Sequence, residues 1–273
     1  MTVFRTLLLA CLLAVPAWAA PFTAFREGET FTYKIGFAIF THAGEITISA
    51  HDDRADHHDL VRVTTDTTSM GFVRSLYAFD NRAEVVIDRA TSRLQSVKEK
   101  GEDPKRATDT ELDLDYSKGV AHYTDRVRKE RSATVTIPPG DPVDLISALV
   151  QTRDWNLKPG EKHDLLVQFG QDFLPISIYA DHYEEVKTPL GRYNALVLVP
   201  RMDKNPTGIF KRGGEIKVWI AQDATRLPVK MQLKLNFGTV SLSLIDYKEP
   251  ATMAEGKSPS SRRDEASSSD REG

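Results

Sequence analysis

The sequence predicts a mainly β fold, in which an antiparallel curved sheet forms a barrel or half-barrel and one α-helix packs against it. Apolar and polar residues alternate along many segments, which is the pattern of strands with one buried and one solvated face. These segments are short and recur along the whole chain, as they do in β-sandwiches and barrels. A single segment, at about residues 142–153, has helix signals instead.

The chain begins with the features of a secretory signal peptide, which we place at residues 1–20. Arg5 precedes an apolar run from Thr6 to Val15, and the small-residue triplet 17–19 follows. Because the apolar run is too short to cross a bilayer, we predict cleavage after Ala19 or Ala20. The mature chain is then expected to be an exported, periplasmic protein without a transmembrane span.

The only cysteine, Cys11, lies inside this leader. It permits an alternative, since residues 8–11 loosely resemble a lipobox whose cysteine would be acylated and would anchor the protein in a membrane. Leu9 is a poor residue for that motif, and hydrophobic sequence continues to Ala20. The sequence therefore favours a periplasmic protein over one that is lipid-anchored at Cys11, and it predicts a mature chain without disulfides.

Period-two alternation places the strands along the chain. It is clear in the first strand, where Phe31, Tyr33 and Ile35 alternate with polar residues. Strands are predicted at 31–35, 46–49, 61–64, 83–88, 94–99, 110–116, 119–125, 165–169, 174–180, 183–188, 193–200, 218–220 and from 228 onward. We expect residues 21–249 to form a single β-rich domain and residues 250–273, which lack large apolar side chains after Gly256, to be a disordered polar tail.

The segment between the second and third strands is rich in histidine and carboxylate. His51, His57 and His58 lie within nine residues that also hold four aspartates. Imidazole suits Zn, Cu and Ni, so these histidines are candidate metal ligands. Neighbouring side chains on a strand point to opposite sides, however, and we interpret the segment first as a hairpin loop; no cofactor is predicted.

The ten residues 70–79 are unusually apolar and include the candidate ligand-binding residues Phe72, Leu76, Tyr77 and Phe79. As a core strand or short helix this segment needs no function. The alternative is the lining or lid of a hydrophobic cavity, with the apolar pair 209–210 near its mouth.

Helix signals cluster around residue 142. Asp141 is predicted to be the N-cap, Pro142 suits the first helical position, and Asp144 lies near the positive end of the helix dipole. Leu145, Ile146 and Leu149 are expected to form the apolar stripe of this helix, and Trp155 to anchor its exit against the sheet.

Several motifs resemble the bacterial exported family called domain of unknown function 3108 (DUF3108). The matching segments cover most of the chain from about Phe25 to Tyr247 and are strongest in its last third. They are 28–33, 141–144, 158–161, 184–193, 214–223, 226–229 and 237–242. The resemblance implies an exported β-rich fold and no established activity.

Two of these motifs also have local interpretations. Residues 188–191, Thr-Pro-Leu-Gly, predict a turn between two strands. After Trp219, Asp223 is positioned to accept backbone hydrogen bonds in a second turn. As an alternative, Asp223 and Arg226 face a ligand together with Trp219, and these three residues complete our set of candidate ligand-binding residues.

Charge and motifs exclude several classes of function. The formal net charge is −3, and Lys and Arg are scattered among Asp and Glu, so no basic stripe for nucleic acid is present. The sequence has no nucleophile elbow, phosphate-binding glycine loop, dinucleotide fingerprint or zincin helix. No catalytic residue is nominated, although the abundant carboxylates leave acid–base hydrolysis open.

Three functions follow from these observations, in order of preference. The first is a non-catalytic periplasmic or cell-envelope protein that binds a lipid or another small apolar ligand. The second is a structural or interaction module that presents a sheet face or edge to an envelope protein. The third is a carboxylate-dependent envelope hydrolase.

Overall fold

The computed structural model of the protein describes residues 23–53, 59–236 and 238–250. Fifteen strands dominate these residues and confirm the predicted mainly β fold. The strands are β1 (Thr30–Phe37), β2 (Phe40–Asp53), β3 (Leu60–Ser69), β4 (Asp80–Asp88), β5 (Arg93–Asp103), β6 (Arg106–Asp115), β7 (Val120–Asp125), β8 (Ala133–Thr136), β9 (Val143–Asp144), β10 (Lys162–Phe169), β11 (Asp172–Thr188), β12 (Gly191–Arg201), β13 (Glu215–Ala221), β14 (Pro228–Leu235) and β15 (Gly238–Lys248). The predicted signal peptide, Cys11 and nearly all of the predicted tail lie outside the described residues.

Three short helices interrupt the strands: α1 (Gly71–Leu76), α2 (Leu145–Gln151) and α3 (Gly208–Lys211). Only α2 corresponds to the predicted helix. The prediction of Asp141 as its N-cap is wrong, because Val143 and Asp144 first pair with β10 as a short parallel strand. Asp144 caps α2 instead, and Leu145, which we expected on the buried stripe, is exposed. No helix in the described part of the chain is long and apolar enough to cross a membrane.

All fifteen strands belong to one sheet, and nearly every ladder joins strands that follow each other in the chain. The order is β8-β7-β6-β5-β4-β3-β2-β1-β15-β14-β13-β12-β11-β10-β9. The central ladder is the exception, since β1 pairs with β15 in antiparallel register, with Phe31 opposite Tyr247. The sheet is not closed, and β8 and β9 form its two margins.

The main core covers one face of the sheet and recruits side chains from both halves of the chain. Strand alternation places Phe31 and Tyr33 of β1 in this core together with Val197 of β12 and Trp219 of β13. Leu196, the residue before Val197 in β12, points to the other face of the sheet. It lies in a second core, against α2, β10 and the first part of β11. Strand β12 is therefore buried on both faces, which explains its uninterrupted apolar run.

The sheet curls so that its β9 margin approaches the other half. Pro142, Asp144 and Ser147, at and near α2, line a narrow crevice together with Ile87 of β4 and Leu94 of β5. Because β9 is eleven strands away from β5 in the sheet order, this approach requires pronounced curvature. The sequence predicted a barrel or half-barrel, and the observed sheet is curved but open, with α2 packed against β9 and β10 and facing β4 and β5.

A buried ion pair ties the exit of α2 to the start of β1. The Arg153 guanidinium lies 2.7 Å from Oε1 of Glu29, and both side chains are withdrawn from solvent. The Tyr247 hydroxyl donates to the same carboxylate oxygen at 2.5 Å. Burial and the Glu29 carboxylate raise the pKa of Tyr247 to about 12, so this phenol stays protonated and remains a donor at physiological pH.

The local environment of Asp144 gives a first testable prediction. Its Oδ1 accepts hydrogen bonds from the backbone N–H groups of Ile146 (2.9 Å) and Ser147 (3.1 Å). Asp144→Ala removes this cap and is expected to lower the free energy of unfolding by about 1 kcal/mol. Asp144→Asn keeps an acceptor and is expected to retain most of the stability; urea denaturation measures both variants.

The same residue is expected to make stability depend on pH. Burial raises the pKa of Asp144 in the folded state, against the opposing effect of its backbone hydrogen bonds. Protonated Asp144 therefore stabilises the folded state. This stabilisation is fully present below pH 3.8, the ordinary pKa of the carboxyl, and is lost as the pH rises through the higher pKa of the folded state. Asp144→Asn should abolish this part of the pH dependence, and an unchanged pH profile in that variant would contradict the assignment.

Candidate functional site

The candidate site is built on the connection between β3 and β4, which contains α1. The predicted apolar segment forms this helix, yet none of its residues is buried. Phe72 is 63% exposed, Leu76 66% and Tyr77 41%. A helix whose large apolar side chains face solvent contributes little to the core, so its composition requires another explanation.

Polar contacts hold α1 in place. The Arg74 guanidinium donates to both carboxylate oxygens of Asp80, at 2.9 and 2.7 Å, and to Oγ1 of Thr68 at 3.1 Å. The hydrogen bond from Arg74 lowers the pKa of Asp80 to about 2, so this pair is ionised at any physiological pH. In addition, the Met70 N–H donates to the carbonyl oxygen of Ala43 on β2. The helix is thus fixed on the strand ends without burying its apolar side chains.

The turn between β1 and β2 extends the apolar surface of α1. Ile39 in this turn is 85% exposed, and the ring of the following residue, Phe40, packs against Phe72 with ring centroids 5.9 Å apart. We call these two residues together with Phe72, Leu76 and Tyr77 the α1 patch. Neither Ile39 nor Phe40 was a sequence candidate, although two adjacent apolar residues in a tight turn are a signal that could have found them.

The other candidate ligand-binding residues lie elsewhere. Phe79 is half-buried where the chain enters β4, and its N–H donates to Oγ of Ser69. Trp219 is buried in the main core, and its indole N–H donates to Glu184. The structure therefore brings Phe72, Leu76 and Tyr77 together and separates them from Trp219.

Asp223 and Arg226 lie in the connection between β13 and β14, at the opposite end of the strands from α1. Oδ1 of Asp223 accepts from the backbone N–H groups of Thr225 (2.9 Å) and Arg226 (3.2 Å). The Arg226 guanidinium donates to the carbonyl oxygens of Arg153 (2.9 Å) and Trp155 (2.7 Å). Both side chains thus take part in the turn and in its packing against the exit of α2.

Of the three candidate metal ligands, only His51 is within the described residues. Its side chain is exposed on β2, with Nδ1 4.0 Å from a carboxylate oxygen of Glu27. Within ranges 23–53, 59–236 and 238–250, no group of three or more His, Cys, Asp or Glu side chains is arranged to hold a metal ion. His57 and His58 lie outside those ranges.

A second surface feature is an open cleft of about 530 Å³ beside α3. Phe210, half of the apolar pair predicted near a cavity mouth, lines it together with Met202, and so do the carboxylates Asp203 and Glu215. The Tyr179 hydroxyl donates to Asp203 at 2.8 Å and lowers the pKa of this carboxyl below its ordinary value. The cleft therefore holds an ionised carboxylate near neutral pH.

Comparison with known proteins identifies a family and a fold. The family model described as "Protein of unknown function (DUF3108)" matches residues 31–245 and confirms the resemblance seen in the sequence. No curated protein matches the chain.

Two solved structures are similar to this chain. The β-barrel-like protein of domain of unknown function DUF1849 from Brucella abortus is 8% identical, with a TM-score of 0.51, over 81% of this chain and 97% of that one. A protein from Parabacteroides distasonis described as a candidate lipoprotein is 10% identical, with a TM-score of 0.29, over 85% of this chain and 98% of that one. The first of these likenesses supports the β-barrel-like fold and nothing further.

Proposed function

We propose, from the premise that this chain belongs to the DUF3108 family, that it is a non-catalytic periplasmic protein of the cell envelope that binds a lipid or another apolar ligand at the α1 patch. In this proposal residues 1–20 direct export and are removed, and residues 21–249 form the single binding domain. Amino-terminal sequencing of the protein from the envelope tests the first part, and cleavage after Ala19 or Ala20 is expected.

The exposure of α1 is the observation that carries the proposal. A cluster of large apolar side chains on the surface costs solvation free energy, and such clusters typically mark binding sites. Here the cluster is ordered by contacts of its own, because Arg74 pairs with Asp80 and Phe72 packs against Phe40. A site that is already ordered loses little conformational entropy when an apolar ligand binds.

The test removes the apolar surface and leaves the helix in place. Phe72→Ser combined with Leu76→Ser is expected to reduce the affinity for a fluorescent fatty-acid probe by at least about tenfold, given about 1.5–3 kcal/mol for full burial of each such side chain. Native mass spectrometry of protein purified from its own cell envelope measures any lipid that co-purifies. The amount of this lipid should be lower for the double variant than for the unmodified protein.

Leu190→Ser is the matched control, because Leu190 is a similarly exposed leucine in the turn between β11 and β12, at the opposite end of the strands. This control should bind the probe as the unmodified protein does. Equal probe binding by all three proteins, with no co-purifying lipid, would refute the α1 patch as a ligand site.

An interaction module is the second candidate, and the β8 margin favours it. Residues Ala133–Thr136 pair with β7 on one side and form the end of the sheet order, so their other side is available for strand addition. The N–H of Thr134 faces away from β7, since Ile137, three residues on, donates to Gly119 beside that strand. A crosslinking pull-down that yields one stoichiometric envelope protein, lost after Thr134→Pro, would favour this function over ligand binding.

The carboxylate hydrolase remains the third candidate, and the cleft beside α3 is where it would act. General acid catalysis near neutral pH requires a carboxyl whose pKa is raised. Asp203 has the opposite shift, since Tyr179 stabilises its ionised form. Because Asp203 is ionised near neutral pH, it is poorly suited to act as a general acid, and we therefore favour binding over hydrolysis.

A further inference from the structure

Alternate connections of an antiparallel meander lie at the same end of the strands, and α1 lies at one such end. We call this the α1 end. It comprises the connections β1–β2, β3–β4, β5–β6, β7–β8, β10–β11, β12–β13 and β14–β15. Among the described residues, six of the nine exposed large apolar side chains lie in or directly beside these connections: Ile39, Phe72, Leu76, Tyr77, Val127 and Phe169.

The α1 end is also basic. The strand residues directly beside its connections include two arginines and five carboxylates. The connections themselves contain nine Lys and Arg residues and two acids, Glu130 and Asp203, so the net charge of this end is +4. The nine are Arg74, Lys105, Arg126, Arg128, Lys129, Arg131, Lys204, Lys211 and Arg212. Counted in the same way within the described residues, the five strand connections at the opposite end have four basic residues and five aspartates, a net charge of −1. The positive charge is thus concentrated at one end of a chain whose total charge is −3.

Most of these cations are not neutralised by the protein itself. Arg74, Arg126 and Arg128 form ion pairs. The other six are exposed and form no ion pair within the described parts of the chain: Lys105, Lys129, Arg131, Lys204, Lys211 and Arg212. Unpaired exposed cations raise the local positive potential and attract anionic partners.

We propose that the α1 end docks on the surface of an anionic lipid bilayer. The inference rests on the proposed function, since it supplies the surface from which the α1 patch would take an apolar ligand. Apolar side chains flanked by Lys and Arg are the combination that binds lipid interfaces, where the apolar groups enter the acyl boundary and the cations lie at anionic head groups. The opposite end has fewer exposed apolar side chains, Leu190 among them, and no excess of positive charge, which gives the docking a defined orientation.

Co-sedimentation with lipid vesicles tests the docking. The full mature chain is expected to bind vesicles of phosphatidylcholine mixed with phosphatidylglycerol much more strongly than vesicles of phosphatidylcholine alone. The triple variant Lys204→Gln, Lys211→Gln, Arg212→Gln should bind the anionic vesicles about 100-fold more weakly, since each cation near such a surface contributes to binding. High salt should have the same effect.

A second triple variant controls for total charge. Arg26→Gln, Lys158→Gln and Lys187→Gln remove three exposed cations away from the α1 end and should leave vesicle binding within about twofold of the unmodified protein, because charges beyond the Debye length from the membrane are screened. Circular dichroism of both variants confirms folding. Equal weakening by the two triple variants, or no preference for anionic vesicles, would overturn the docking.

The outcomes separate the docking from the proposed function. Vesicle binding that requires Lys204, Lys211 and Arg212, in a protein that binds no fatty-acid probe and carries no lipid, would support docking and refute the ligand site. Probe binding that requires Phe72 and Leu76, without preference for anionic vesicles, would support the ligand site and refute docking.

Discussion

Replacing Arg153 by Ala is expected to lower the free energy of unfolding by about 3–5 kcal/mol, because it leaves the Glu29 carboxylate buried without a counter-charge. Glu29→Ala should cost a similar amount for the reciprocal reason, and it also removes the acceptor of the Tyr247 hydroxyl. For a domain of this size such a loss corresponds to a decrease in Tm on the order of 10 °C. Urea denaturation and differential scanning calorimetry measure the two quantities.

Two controls identify burial as the cause. Arg192 and Glu185 form an exposed ion pair at 2.8 Å, and Arg192→Ala should cost less than about 1 kcal/mol. Removing both buried charges, with Arg153→Met and Glu29→Leu, should recover much of the loss seen in either single variant. If the double variant is as unstable as the sum of the single variants, the unpaired charge is not the cause.

Replacing Trp219 by Ala is expected to have an effect of similar size, about 3–5 kcal/mol, because it empties a large volume in the main core. The side chain also donates to Glu184, and the Lys230 ammonium lies 4.8 Å from the centroid of its ring. Trp219→Phe keeps much of the volume and loses the indole N–H, so it should cost about 1 kcal/mol. Urea denaturation distinguishes the two variants.

The pH dependence of stability in the Trp219 variants measures the hydrogen bond to Glu184 independently of the core packing. The hydrogen bond from Trp219 holds the pKa of Glu184 below its ordinary value of 4.5. This contact therefore stabilises the fold above pH 4.5, and its contribution is lost as the pH falls through the folded pKa. Between neutral and acidic pH, the decrease in the free energy of unfolding should therefore be smaller in Trp219→Phe, which lacks this hydrogen bond, than in the unmodified protein. A Trp219→Ala variant of unchanged stability that no longer binds the fatty-acid probe would instead identify Trp219 as a ligand contact.

Alternation alone was sufficient to predict most strands. A strand that contributes to one core, such as β1, alternates between buried and solvated residues, and that pattern is local in the sequence. The helix boundary was different. Asp141 and Asp144 are both acceptable caps, and the choice depends on the pairing of Val143 with Val167 of β10, a contact that no local pattern contains.

The candidate site was predictable in composition but not in geometry. The sequence identified residues 70–79 as unusually apolar, but whether such a segment lies inside or outside depends on the tertiary structure. Ile39 joins Phe72 only because β2 brings Phe40 beside α1. The charge of the α1 end was also hidden, since its cations are scattered in the sequence and are collected by the topology of the meander.

The central pairing of β1 with β15 has a consequence for the order of folding. Most other ladders join neighbours in the chain and form by closing short loops, whereas the hydrogen bond from Tyr247 to Glu29 joins residues 218 positions apart. Such distant pairing slows folding, since a long loop must be ordered before the contact is gained. Until β15 arrives, β1 and β14 each present an unpaired edge at which chains can associate. A growing chain therefore completes the centre of its sheet last, and the interval before that step is when it is most prone to aggregate.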